Sequence, residues 1–210
     1  MIESTSLAIF VMAALLLLLA PGPAVLYIVA RSIDQGSLAG IVSVFGIGMG
    51  SLVHVTAAAL GLSALLVSSA LAFMFVKYLG AAYLIYLGVT TLLKKPVPIA
   101  AQERPKQPLF KIFRQGVIVN VLNPKTALFF FAFLPQFVDA HRGSVSLQIL
   151  FLGGLFTTMA ICTDSIYALL AGRLGTWLKN SLRFQKIQKY FSGSIYILLG
   201  LSTAFSGSHK

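Results

Sequence analysis

The sequence predicts an all-α integral membrane protein with six transmembrane helices. They form two inverted three-helix repeats, each with a broken first helix. Three observations carry this expectation. The 210 residues are 58% hydrophobic and only 10% charged, with a mean hydropathy of +0.90, whereas a soluble domain carries about a quarter charged residues. Apolar stretches of about 20 residues, the length of a bilayer crossing, recur along the chain. The first span of each half is interrupted by proline, at Pro21-Gly22-Pro23 and at Asn123-Pro124-Lys125.

The spans are predicted at residues 6–30, 38–62, 68–93, 115–138, 146–171 and 188–205. The first has Glu3 and no Lys or Arg before Arg31. It therefore lacks the basic start of a cleavable signal peptide and reads as a permanent helix. Turn material around Ser63 to Ser69 separates the second and third. Gly46-Ile47-Gly48-Met49-Gly50 superficially resembles a phosphate loop but lies inside a span, where Gly46 and Gly50 have the spacing for close helix contact. Gly153-Gly154 is expected to act likewise in the fifth span, and the lone Cys162 to be a small buried hydrophobe. Residues 94–114 hold four prolines and should be extended and mobile. In Leu174–Phe191, Lys179, Arg183 and Lys186 fall on one helical face. This fits a helix on the anionic inner leaflet or a solvated connector. The expected organisation is a first membrane repeat over 1–93, a basic Pro-rich cytoplasmic loop over 94–114 and a second repeat over 115–210.

Charge sets orientation. The net charge is +11, but Lys and Arg cluster between spans and no basic face alternates with aromatics, so nucleic-acid binding is excluded. The loops after spans one, three and five hold Arg31, then Lys94 through Arg114, then Arg173 through Lys189. The other side holds little beyond Arg142 and Lys210. The positive-inside rule places those loops in the cytoplasm and both termini outside. Three spans per half then require the second half to insert upside down, the pattern of an inverted-repeat transporter.

The breaks suggest the chemistry. A proline removes one backbone donor and frees the carbonyl four residues earlier, so Pro21 and Pro23 free those of Leu17 and Leu19. In a wet, protein-lined site such carbonyls can receive an ammonium, and the amides of the restarted helix can receive a carboxylate. A zwitterionic amino acid has both groups. Lys125 sits near the middle of span four, where a cation costs roughly 3 kcal/mol on insertion scales. An anionic ligand, a carboxylate partner or loss of its proton would relieve it. Asn123 can cap the new half-helix, and Asn120 adds an amide to the same region.

Asp164, in span five, is a candidate proton carrier, ammonium ligand or fixed partner of Lys125. Lys77 is a coupling candidate or a snorkelling cation. His54 is a proton-transfer candidate or a packing histidine. No nucleophile–base pair, metal cluster or cofactor motif stands out, so neither an enzyme nor a metal or other cofactor is expected.

Ala20-Pro21-Gly22-Pro23, the run Gly80-Ala81-Ala82-Tyr83-Leu84-Ile85-Tyr86-Leu87-Gly88, and Gly116 through Asn123-Pro124-Lys125 into Leu134-Pro135-Gln136-Phe137-Val138 resemble the LysE/RhtB type of amino-acid exporter. The resemblance runs from about residue 6 to 205. It implies a bacterial inner-membrane protein that moves amino acids out of the cell on ion gradients, as an oligomer. Carried over residue by residue, it implicates Pro21, Gly22, Pro23, Asn123, Pro124 and Lys125, with Asp164 and Lys77 less directly. The expected function is proton-coupled export of amino acids. A neutral, homoserine- or threonine-like substrate is favoured, because a lysine exporter would want more acids than Asp164. The alternatives are export of another small solute or a cation, and a non-transporting membrane scaffold or assembly factor. The short length and Gly-rich faces suggest a homodimer.

Overall fold

A computed structural model describes residues 3–62, 70–93, 106–180 and 182–205. Every regular element among them is helical. Helix α1 (Ser4–Leu19) ends at the first break, and α2 (Pro23–Gln35) restarts at a bend of 49°. Helix α3 (Ser37–Ala57) ends in a π-helical turn at Ala58–Leu62. Helix α4 covers Ala70–Leu93. Helix α5 (Leu109–Val121) runs to the second break, and α6 (Pro124–Leu128) restarts at a bend of 48°. It continues through a π-helical Phe129–Phe133 and a 3-10 turn at Leu134–Phe137, where Pro135 cannot sustain the regular ladder. After a 3-10 turn at Ala140–Arg142 come α7 (Val145–Asn180) and α8 (Leu182–Phe205).

Among the described residues, two helical stretches are long and apolar enough to cross a membrane, Ser37–Gly61 and Val145–Arg173; each bent pair taken as one span raises the number to four. The outward faces carry an apolar belt suited to acyl chains, including Met12, Leu60, Phe75, Leu122, Ile166 and Leu198. Cys162 belongs to this outward face. The expectation of burial is corrected, because α7 turns Cys162 towards the exterior and packs Thr163 and Asp164 inward.

Two packing arrangements position the site. Helices α2, α3, α5 and α7 form one group, and α4 lies along α8. Small residues make both possible. A Cβ on Gly50 would sit 2.8 Å from Asn120 Cβ and 2.9 Å from Val117 O, and one on Gly116 3.0 Å from Ser43 O. Gly46 meets Phe113 O in the same way. Gly46→Val should therefore prise α3 from α5 at about 1–3 kcal/mol of overpacking, measured as a lower thermal midpoint in detergent. Gly153 packs against Val55 and Phe130, but a Cβ on Gly154 would meet nothing within 4 Å, so only the first of that pair is a contact glycine. On α4, Ala81, Leu84 and Gly88 are buried, while Tyr83 and Tyr86 are exposed. The motif thus supplies a packing face, with Gly88 against Gly193 and Ile197, and Gly200 against Ala81 and Ile85.

Several boundaries differ from expectation. Helix α5 begins at Leu109, inside the stretch expected to be extended, because Pro108 ends the turn-forming run and Leu109–Gln115 are good helix formers. Residues 94–105 of that loop lie outside the described residues. The basic stretch 174–191 is not a separate in-plane helix. Helix α7 continues to Asn180 and α8 starts at Leu182, dividing the stretch between them. At 36 residues α7 is roughly 54 Å long, well beyond the hydrocarbon thickness of about 30 Å. Gly36 and Gly143, which follow the two breaks in matched positions, are the positive-φ residues among those described, at 89° and 124°.

Candidate functional site: two broken helices around Lys125

The breaks meet. Lys125 lies one residue into the restarted α6, and its ammonium reaches across to the end of α1. There Nζ donates to Leu17 O at 2.7 Å and to Ala20 O. Leu17 O is a carbonyl that Pro21 leaves without its helical donor. The side chain is only 7% exposed. Leu19 O, freed by Pro23, accepts from Tyr167 Oη at 2.9 Å. Pro124 likewise frees Asn120 O, which accepts from His54 Nε2 at 2.9 Å. Each of these proline-freed carbonyls therefore meets a polar side chain from a distant element, as backbone groups away from water require.

The two helix starts differ. Asn123 caps α6, its Oδ1 accepting from Lys125 N at 3.1 Å. Helix α2 starts at Pro23 with Gly22 as its cap residue and no side-chain cap. The positive end of α2 is thus the one left for an external anion.

Asn120 is the bracket between α5 and α3. Its Nδ2 donates to Ile47 O at 2.8 Å and Ser51 Oγ at 2.9 Å, and its Oδ1 accepts from Thr126 Oγ1 at 2.9 Å. Asn123 Nδ2 donates to Thr126 Oγ1 at 3.0 Å and to Asn120 Oδ1 at 3.3 Å. Asn120→Ala would strand these buried partners. It should lower stability by about 2 kcal/mol, read as a shifted detergent-melting midpoint.

Asp164 is buried on α7, as Lys125 is on α6. Tyr167 lies three residues further along the same helix. His54 is buried, stacked over Phe130 at 6.1 Å and engaged with the Asn120 carbonyl. This geometry ties it to the second break rather than to Asp164. Lys77 lies on α4, and its side chain is outside those described. Around the breaks, Phe129 stacks on Phe156 at 4.2 Å, and Phe10, Phe130 and Phe133 complete an aromatic wall.

Tyr167 and Thr126 were not picked out from sequence. A Tyr in an apolar helix reads as an interface anchor, and only its distance from Leu19 O distinguishes it. Thr126 follows Lys125 directly and could have been read as part of the capping group.

Pro-Gly-Pro in one bent pair, Asn-Pro-Lys in another and the glycine-lined α4 helix between them coincide with one family pattern. The model for the LysE type translocator matches residues 15–207. The chain belongs to the LysE type translocator family. It is similar to the homoserine/homoserine lactone efflux protein of Salmonella typhimurium, at 30% identity over 91% of this chain and 92% of the relative. It is also similar to an uncharacterized membrane protein, YrhP, of Bacillus subtilis, at 30% identity over 96% of this chain and 99% of the relative. No solved structure matches the chain. As a LysE type translocator it is a membrane transport protein, and the meeting of its two broken helices is the natural place to seek the transported solute.

Proposed function

We propose that this translocator is a secondary exporter of neutral amino acids, homoserine- or threonine-like, coupled to proton entry across the bacterial inner membrane. In this reading the six helical spans are two inverted three-helix repeats with both termini on the periplasmic side. The near-equal bends at the two breaks and the matched glycines Gly36 and Gly143 support it. The observation that carries the reading is the seating of the Lys125 ammonium on the carbonyls of the first break.

That seat has the chemistry of an amino-acid site. An arriving α-ammonium can take the Leu17 and Ala20 carbonyls and face Asp164. Its carboxylate can pair with the displaced Lys125 ammonium and the uncapped start of α2. Lys125 thus fills this seat with the same kind of group the substrate brings. Exchange of one ammonium for the other releases Lys125 for the carboxylate, and rocking of the repeats then exposes the site outward. Among the described residues Asp164 is the buried carboxylate, and it is assigned the proton. A divalent cation would want several carboxylate oxygens, and the centre offers one such side chain. The homoserine/homoserine lactone efflux relative supports the substrate class.

The test is counterflow in liposomes. Purified protein should exchange labelled homoserine or threonine across the membrane. Absence of exchange over a broad amino-acid panel would favour a scaffold instead.

A further inference from the structure

We infer that Arg31, with Tyr27 and Gln115, forms a second carboxylate subsite that receives the amino acid before it reaches the Lys125 centre. The inference rests on the amino-acid reading above. By position Arg31 is a positive-inside residue, whose guanidinium would ordinarily sit in water among headgroups. Here it is 9% exposed. It lies on α2 eight residues beyond Pro23, roughly 12 Å along the helix. That is the side of the break where the basic loops concentrate.

Its contacts are neutral. Arg31 Nη2 donates to Gln115 Oε1 at 3.0 Å, and the guanidinium lies 5.3 Å from the centre of the Tyr27 ring. Tyr27 Oη donates to Ile112 O at 2.8 Å and also approaches Gln115 Oε1 at 3.3 Å. Among the described residues no carboxylate pairs with Arg31. One amide oxygen, already shared with a phenol, is a poor match for a full buried charge. A guanidinium offers five N–H donors in a planar fork that fits a carboxylate bidentately, and among the described residues its partners are the neutral Gln115 and Tyr27. The chemistry recognised is therefore a free carboxylate on a small solute, and Arg31 would discriminate it from the same solute as an ester or lactone.

The alternative is that Arg31 and Gln115 merely tie α2 to α5. Homoserine and homoserine lactone separate the two, because the lactone lacks a free carboxylate. Wild-type protein, Arg31→Gln and Arg31→Lys would be reconstituted, and the concentration of each unlabelled compound that halves labelled homoserine counterflow measured on the side of the basic loops. We expect Arg31→Gln to raise that concentration about ten-fold for homoserine and less than two-fold for the lactone. Arg31→Lys keeps a donor for Gln115 but loses the fork, and should fall between wild type and Arg31→Gln for homoserine alone. Equal losses for both compounds, or no loss for either, would overturn the subsite. Failure of the wild-type protein to exchange homoserine would overturn the amino-acid reading and this inference with it. Should Arg31→Gln not fold, the Arg31→Lys selectivity between the two compounds decides.

Discussion

Export should be lost in Lys125→Ala, and equally in the volume-preserving Lys125→Met, with membrane insertion intact. The expected loss is at least about 100-fold. Lys125 bridges the two breaks through Leu17 O and Ala20 O. Each net hydrogen bond from a charged group is worth about 1.5–3 kcal/mol, and about 3 kcal/mol corresponds to that factor. The change also leaves the Leu17 carbonyl with its local donor, Ala20 N at 3.1 Å, which Leu16 O shares. Initial rates of labelled homoserine counterflow, normalised to the amount of inserted protein, measure the effect. A well-inserted variant with normal export would remove Lys125 from the mechanism.

The second large effect is expected at Asp164→Asn, which keeps the shape of the side chain and removes the proton site. If Asp164 carries the coupling proton, export driven by an imposed pH gradient should disappear. Exchange without a gradient should persist at a reduced rate, because the Leu17 and Ala20 carbonyls and the carboxylate seat remain while the charge that faces the ammonium is lost. If Asp164 is only the fixed partner of Lys125, both activities should fall together, since Lys125 would then lack its counter-charge. Measuring accumulation and counterflow on the same vesicles separates the two roles.

The fold was legible where the residues themselves forbid regular helix. Pro21, Pro23 and Pro124 mark the two bends by removing donors, and no tertiary context can restore a missing N–H. The cap on α6 was legible for a similar local reason, since Asn123 precedes Pro124 and Lys125 in the spacing that a side-chain cap needs. What could not be read is who takes the freed carbonyls. Tyr167 lies 148 residues from Leu19 and Lys125 108 residues from Leu17, and nothing local encodes those pairings. The sequence offers the freed carbonyls to a substrate ammonium, whereas in the structure Lys125 itself occupies that of Leu17. Arg31 was counted only as an orientation charge, because burial of a guanidinium depends on the way α2 leans on α5. Cys162 was misplaced for a related reason. In a span that is apolar all round, the face turned to lipid and the face turned to protein have nearly the same composition, so periodicity does not separate them. The long α7 follows from residues that were read as interfacial. Lys, Arg and Leu are also good helix formers, and no proline intervenes before Asn180.

The central claim is that an ammonium carried on α6 and seated on the α1 carbonyls is what this transporter works through. It can be tested by rebuilding that group chemically. In a Cys162→Ser background, which removes the chain's single cysteine, Lys125→Cys should be inactive. Alkylation of the introduced thiol with 2-bromoethylamine restores a side chain of lysine length ending in an ammonium. Labelled homoserine counterflow is then expected to recover substantially, while alkylation with neutral bromoethane leaves the protein inactive. Equal recovery with both reagents, or none with a fully aminoethylated and properly inserted protein, would contradict the account.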